Sequence, residues 1–270
     1  MKNIIVLLLL SCLAFCATDH RVFSNLQLMQ GNTLSVYPKS DIDNYTVLLI
    51  HSNTTEGSTT FTDSSFYNHA ISAINGAIHS TDTAKFGASS IKYTGSSFSH
   101  WNGGAVQTPN SDDFNLGSGD FTIDLWVKFA LHNGGGFGAT FIAQESFTPV
   151  YSVNSFYLVD NAGLKLYFAY STDGSNHLSF QENWSPATNT WYHLACVRNG
   201  ANLYFFVNGN QLGTPKNLGS ASLYYDSNGK LSVGGRNDGG SLNGYIDEFR
   251  LSKGIARWTS NFTPPNSIYE

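Results

Sequence analysis

Between Trp191 and Gly213 the chain reads Trp-Tyr-His-Leu-Ala-Cys-Val-Arg-Asn-Gly-Ala-Asn-Leu-Tyr-Phe-Phe-Val-Asn-Gly-Asn-Gln-Leu-Gly, and no other stretch narrows the possible folds as much. Two runs rich in β-branched and aromatic residues, Trp191–Val197 and Leu203–Val207, are followed by Asn199-Gly200 and Asn208-Gly209. Asn and Gly adopt positive φ at little steric cost, so these dipeptides mark tight reversals. The stretch predicts consecutive antiparallel strands.

The rest of the chain repeats this grammar. Over Asp120–Phe129, Phe121, Ile123, Leu125, Val127 and Phe129 share one face, while Thr122, Asp124, Trp126 and Lys128 share the other. Further strands are predicted at Tyr45–His51, Lys85–Tyr93, Thr140–Gln144, Ser155–Asp160, Leu164–Tyr170, Lys230–Gly234 and Gly244–Leu251. No sustained helical period occurs; Gly254–Ser260 suits one short helical turn. Strands at this spacing, divided by Gly/Asn/Ser loops, indicate an all-β, two-sheet antiparallel sandwich.

Only 12% of the 270 residues are charged, about half the usual share of roughly 25%, so the surface must be built from Ser, Thr, Asn and Gly. That composition fits secreted all-β proteins and argues against a charge-driven disordered chain. The formal net charge is -5 and Lys/Arg clusters are absent, which excludes a nucleic-acid partner needing a phosphate-neutralising patch.

Met1-Lys2-Asn3 followed by the apolar run Ile4–Cys16 has the form of a cleaved secretory signal over residues 1–16, too short for a membrane span of about 20 residues. Lipid anchoring through Cys12, after Leu9-Leu10-Ser11, is the minor alternative. Cleavage leaves Cys196 alone, unable to form an internal disulfide, and its place within a strand makes it a small hydrophobe. Residues 17–45 read as an N-terminal leader with a weak strand signal near Thr33–Tyr37, 46–265 as one domain, and 266–270 as a tail. The sequons at Asn44, Asn53, Asn183 and Asn261 are no more frequent than chance predicts.

Four pieces together resemble the laminin-G-like jelly-roll domains of the concanavalin A-like lectin/glucanase superfamily. They are Lys85-Phe86-Gly87-Ala88-Ser89-Ser90-Ile91, then Ser111 through Val127, the hairpin Trp191 through Gly209, and Gly244 through Trp258. They span Thr46 to Pro265 in the family's order. The resemblance implies a jelly roll of two curved antiparallel sheets, with ligands on the concave face and rim loops. It also implies a structural Ca²⁺, with Asp63 and Asp247 as oxygen ligands of the kind that hard cation prefers. One departure weakens that metal site: relatives carry Phe-Asp-Gly after the first strand, and this chain has His51-Ser52-Asn53. The competing reading has Asp247 and Glu248 bonding locally near Arg250.

Catalysis in the manner of the superfamily's retaining glycosidases would need two carboxylates about 5–5.5 Å apart, carried by a run such as Glu-x-Asp-x-x-Glu. Neither Asp120–Asp124 nor Asp247-Glu248 matches it. Nor can His193 and Cys196 pair, because residues three apart on a strand point to opposite faces. Binding is a better match to the residues. A ring that stacks on a sugar face beside amides that bond its hydroxyls suits Trp101 with Asn102, Trp126 opposite the core stripe, and Trp184 between Asn183 and Ser185. Trp126 also reads as a packing residue. The sequence therefore predicts a secreted, non-catalytic module for carbohydrate or a glycosylated surface. The alternatives are a structural or adhesion domain recognising protein, and a degenerate glycoside hydrolase.

Overall fold

The computed structural model describes residues 42–95, 104–132, 138–147, 152–161, 165–236 and 240–270. Leader residues 17–41, Trp101 and Asn102 lie outside the described residues. Residues Ile42–Glu270 group as one unit.

Fifteen strands are described, all joined to neighbours by antiparallel ladders: β1 (Thr46–Ile50), β2 (Ser72–Ile74), β3 (Ile78–Ser80), β4 (Ser90–Thr94), β5 (Ala105–Thr108), β6 (Phe121–Phe129), β7 (Ala139–Phe147), β8 (Ser152–Asn161), β9 (Lys165–Ser171), β10 (His177–Asn183), β11 (Trp191–Asn199), β12 (Asn202–Val207), β13 (Asn210–Asn217), β14 (Lys230–Val233) and β15 (Asn243–Lys253). Eight form one sheet in the order β13-β12-β11-β6-β15-β4-β3, with β1 pairing to β15 off that path. The other seven run β10-β9-β8-β7-β14-β5-β2.

The period-2 stripe of β6 does what its pattern dictates: Phe121, Ile123, Leu125, Val127 and Phe129 are all fully buried in the core. Leu166, Phe168 and Tyr170 of β9 meet them from the other sheet, with Phe121 and Phe168 centroids 5.9 Å apart. Burying each such ring contributes about 1.5–3 kcal/mol, which lets a chain with its single described cysteine free hold together by its core. Asn208 (φ 51°) and Gly209 (φ 76°) both take positive φ between β12 and β13, the backbone a two-residue reversal demands. On β11, Leu194 and Cys196 face the core, and His193, Ala195 and Val197 face outward.

One expectation is corrected: Gly254–Ser260 forms no helical turn and continues as irregular chain beyond β15. Within residues 266–270, Tyr269 is buried at 2% exposure.

Candidate functional site

A sandwich leaves two outward faces, and the chain treats them differently. Outward from the eight-stranded sheet point Asp124 and Trp126 of β6, His193, Ala195 and Val197 of β11, and Phe206 of β12. Here β15 carries a bulge: two residues, Glu248 and Phe249, lie between the pairs Asp247–Trp126 and Arg250–Asp124. An extra residue resets the alternation, so Asp247 and Arg250 share the outward face although three positions apart. Glu248 sits at φ 51°, a left-handed backbone that is uncommon for a residue other than glycine.

The segment after β15 covers this face. Trp258 and Phe262 stack at 4.0 Å and pack with Ala195, Val197 and Phe206. Phe262 donates its N–H to the Gly209 carbonyl at 2.9 Å, and any Cβ at Gly209 would collide with the Phe262 carbonyl, so the hairpin glycine serves the cover as well as the turn. Beneath lies a buried ionic cluster. Arg250 donates to Asp124 Oδ1 at 2.9 Å and Oδ2 at 3.2 Å, and the Tyr269 hydroxyl donates to Oδ2. The Arg250 guanidinium stacks 3.9 Å from the Tyr269 ring. Burial alone would raise the Asp124 pKa, but the guanidinium beside it wins and holds the carboxyl well below the usual carboxylate range. Burial, helped by the negative charge of Asp124, pushes the Tyr269 phenol up.

The two carboxylates expected to hold calcium are already occupied. Asp63 accepts from the Leu49 and Ser65 N–H groups on Oδ1, and from the Ser65 hydroxyl, the His69 N–H and His69 Nδ1 on Oδ2, all within 3.0 Å. Five donors fill its roughly four lone-pair directions. Asp247 accepts from the Lys85, Phe86 and Glu248 N–H groups at 2.9–3.1 Å, which is the physical reason for the Lys85-Phe86-Gly87 motif: its turn is tied to β15. Burial, with the like charge of Glu248, raises the Asp247 pKa to about 7. Glu248 faces His51 Nδ1 at 2.9 Å and the Tyr269 N–H at 2.9 Å, so the acids bond locally, though to partners other than Arg250. No group of three or more His, Cys, Asp or Glu with metal-holding geometry occurs among the described residues. Ca²⁺ takes six to eight oxygen ligands, and the oxygens of Asp63 and Asp247 here accept from protein N–H and O–H groups.

Of the tryptophans expected to stack on sugar, Trp126 and Trp184 fall among the described residues, and both are buried. Trp126 is 7% exposed, with the Lys85 ammonium 3.8 Å from its ring centroid and Phe86 and His193 edge-on to it. Trp184 is 8% exposed and packs edge-to-face on Phe129 and Tyr192 within the core. Outward strand position and loop position both suggested access; packing removes it. A Ser–His pair also exists, Ser52 donating to His79 Nδ1 at 2.7 Å while Nε2–H bonds the Thr60 carbonyl, but Ser52 is 2% exposed and burial lowers the His79 pKa. It is an internal tie.

The outward face of the seven-stranded sheet is different. The ladders place Ser179, Ala169, Tyr157, Ala143, Ser232 and Gln107 in one row across six strands. Small side chains surround one aromatic, and Gln107 donates to Ser232 Oγ at 3.0 Å. Tyr167, diagonal to Tyr157 on the neighbouring strand, stacks with it at 6.0 Å and 24°. The Arg236 guanidinium lies 4.5 Å from the Tyr157 centroid, and His177 stands edge-on to the same ring at 6.2 Å. Tyr157, Tyr167 and Arg236 are half-buried, while His177, Ser179 and Gln181 are exposed. Two tyrosines ringed by amides, hydroxyls and a guanidinium have the make-up of a surface that stacks on an apolar ring face and bonds hydroxyls.

Residues 100–257 match the family model described as the concanavalin A-like lectin/glucanases superfamily. The chain belongs to this superfamily. Among curated proteins, none matches it. Solved structures similar to this superfamily member include botulinum neurotoxin type C, whose entering of cells depends on interaction with two ganglioside molecules (17% identity, TM-score 0.56, covering 78% of this chain and 49% of that one). The binding domain of botulinum neurotoxin DC in complex with rat synaptotagmin II is similar at 15% identity and TM-score 0.57, over 78% and 49% of the two chains. So is the serotype D ligand binding domain in complex with N-acetylneuraminic acid, at 14%, 0.56, 80% and 49%. At these identities the likeness is one of fold, and this chain spans about half the length of those it matches.

Within the superfamily's jelly roll, the tyrosine face had a sequence signal. The expected strand Leu164–Tyr170 alternates Lys165, Tyr167 and Ala169 against Leu166, Phe168 and Tyr170. Reading the second set as core leaves Tyr167 outward, and Tyr157 follows from the same argument on β8.

Proposed function

We propose that this superfamily member is a secreted, non-catalytic module that binds glycan on the outward face of its seven-stranded sheet. The observation that carries the proposal is the stacked Tyr157–Tyr167 pair, half-buried amid small and amide side chains. Secretion rests on the signal-like residues 1–16. Ganglioside and N-acetylneuraminic acid on proteins of similar fold support the choice of ligand class. Among the described residues, Glu145 is the one carboxylate at the outward strand positions of this sheet, and Asp124, Asp247 and Glu248 are buried on the opposite sheet and bonded. A glycan array probed with the protein tests the proposal. Binding that falls about fivefold or more in both Tyr157→Ala and Tyr167→Ala is the expected result, since an aromatic contact is worth about 1 kcal/mol. Reducing-sugar release from polysaccharide, or binding indifferent to both substitutions, would overturn it.

A second reading, recognition of protein, has its own observation. Phe66 is 67% exposed beside Tyr67 and Tyr45, each 40% exposed, and Tyr67 bonds the Asn44 carbonyl next to Tyr45. Aromatics are enriched at protein interfaces. A stable complex lost in Phe66→Ser, with a blank glycan array, would favour this reading.

A further inference from the structure

The charge of the tyrosine face runs against that of the chain. The protein carries -5 overall, with 14 basic and 19 acidic residues. Yet the outward strand positions of the seven-stranded sheet hold Lys165 on β9 and Lys230 on β14, joined by Arg236 from the loop after β14. Glu145, 1% exposed, is the only carboxylate at those positions among the described residues. Two of the three cations lie towards one end of the tyrosine pair. Lys165 is two residues from Tyr167 on the same side of β9 and pairs with Asn161 at the far end of β8. Beyond Val233, the chain of β14 runs towards that same end, since Val233 pairs with Ile142 while Ala139 pairs with Asp160. From there Arg236 reaches back over Tyr157. A neutral sugar would use the guanidinium only as a donor to its hydroxyls and would leave the ammonium's charge unmatched. A ring stacked on the tyrosines with an oxyanion at its edge would meet a planar guanidinium fork and, at the same end of the tyrosine pair, an ammonium.

We propose that the ligand of this face is an acidic glycan, one whose saccharide carries a carboxylate, with Arg236 and Lys165 receiving the charge and Tyr157 and Tyr167 the ring. The proposal rests on the glycan-binding reading above and deepens it. Lys230, at the opposite end of the row, adds long-range attraction.

The test is an array of sialylated and uronic-acid oligosaccharides printed beside the same oligosaccharides lacking the acidic sugar, followed by titration of the best pair. Acidic members should bind at least tenfold more tightly, and the gap should narrow between 0.05 and about 0.5 M salt as screening shortens to a few ångströms. Arg236→Gln and Lys165→Gln should each cost the acidic member several-fold more affinity than the neutral one, so that the acidic preference shrinks, and Tyr157→Ala should weaken both alike. Unchanged melting midpoints show that the variants are folded. Equal binding of acidic and neutral members, or a preference untouched in Arg236→Gln, overturns the charge assignment and leaves glycan binding standing. Binding confined to sulfated oligosaccharides overturns the carboxylate. Silence across the whole array sinks the glycan reading itself and this inference with it.

Discussion

The two outward faces of the sandwich are made from strands of the same kind, yet one is closed over by aromatic rings and the other keeps two tyrosines and a guanidinium half-exposed above buried small residues. On the eight-stranded sheet, Trp258, Phe262 and Tyr269 lie over Ala195, Val197, Phe206 and the Asp124–Arg250 pair. On the seven-stranded sheet, Tyr157, Tyr167 and Arg236 remain half-buried. The aromatic and charged residues look interchangeable in composition. What separates them is the covering segment, which turns one set into core and leaves the other half-buried. Charge burial on the sealed face is tolerable because each partner is bonded; the same groups left single would be costly.

This contrast can be broken most severely at Asp124. Asp124→Ala leaves Arg250 buried without its carboxylate, and a loss of about 3–5 kcal/mol is expected in denaturant unfolding. The acid limb sharpens the point. Because the native pKa of Asp124 is depressed, its stabilisation is present above the unfolded value, about 3.9, and is lost as pH falls through and below it. Asp124→Asn should flatten that limb. Tyr269→Phe comes next, removing a hydrogen bond to a buried charge at a cost of about 1.5–3 kcal/mol, measured as a lower melting midpoint. Neither change should alter glycan affinity in the surviving folded protein.

Asp247 gives a smaller effect of opposite sign. Its native pKa, raised to about 7, lies above the unfolded value, so the protonated acid stabilises the fold below about pH 4 and that contribution is lost as pH rises to 7. The melting midpoint of the wild-type protein relative to Asp247→Asn should therefore decline from pH 4 to pH 8; a constant difference would refute the linkage. Smallest in stability is Tyr157→Ala on the half-exposed face, expected to cost about 1 kcal/mol in unfolding through the lost ring contacts while binding weakens. A large destabilisation there would mean that face is also core.

Much of the fold was legible because alternation is a local signal. The β6 stripe and the Asn208-Gly209 reversal need no distant partner to be recognised. Strands β2 and β3 are three residues each, too short to show a period, and β10 and β13 expose most of their side chains, so neither carries an apolar stripe. The site was far less legible. Alternation tells which face a residue occupies and nothing of what lies above that face, so Trp126 reads as outward and is buried by Phe86, Lys85 and His193. Likewise Asp63 looks like a free ligand until Leu49, Ser65 and His69 close around it. Tyr157, on β8, and Arg236, in the loop after β14, lie far apart in the chain, and nothing local joins them.

The pairing of β1 with β15 has a consequence for how the chain reaches this state. Thr46 pairs with Ser252, and every residue of β1 is buried. At synthesis rates of about 5–20 residues per second, the Thr46–Ile50 strand waits on the order of 10–40 s for a partner made about 200 residues later. Such non-local closure places folding among the slow all-β sandwiches, in milliseconds to seconds once the chain is complete. Until then an apolar strand stands unpaired, and aggregation during synthesis, more than the stability of the finished sandwich, is the hazard this topology sets.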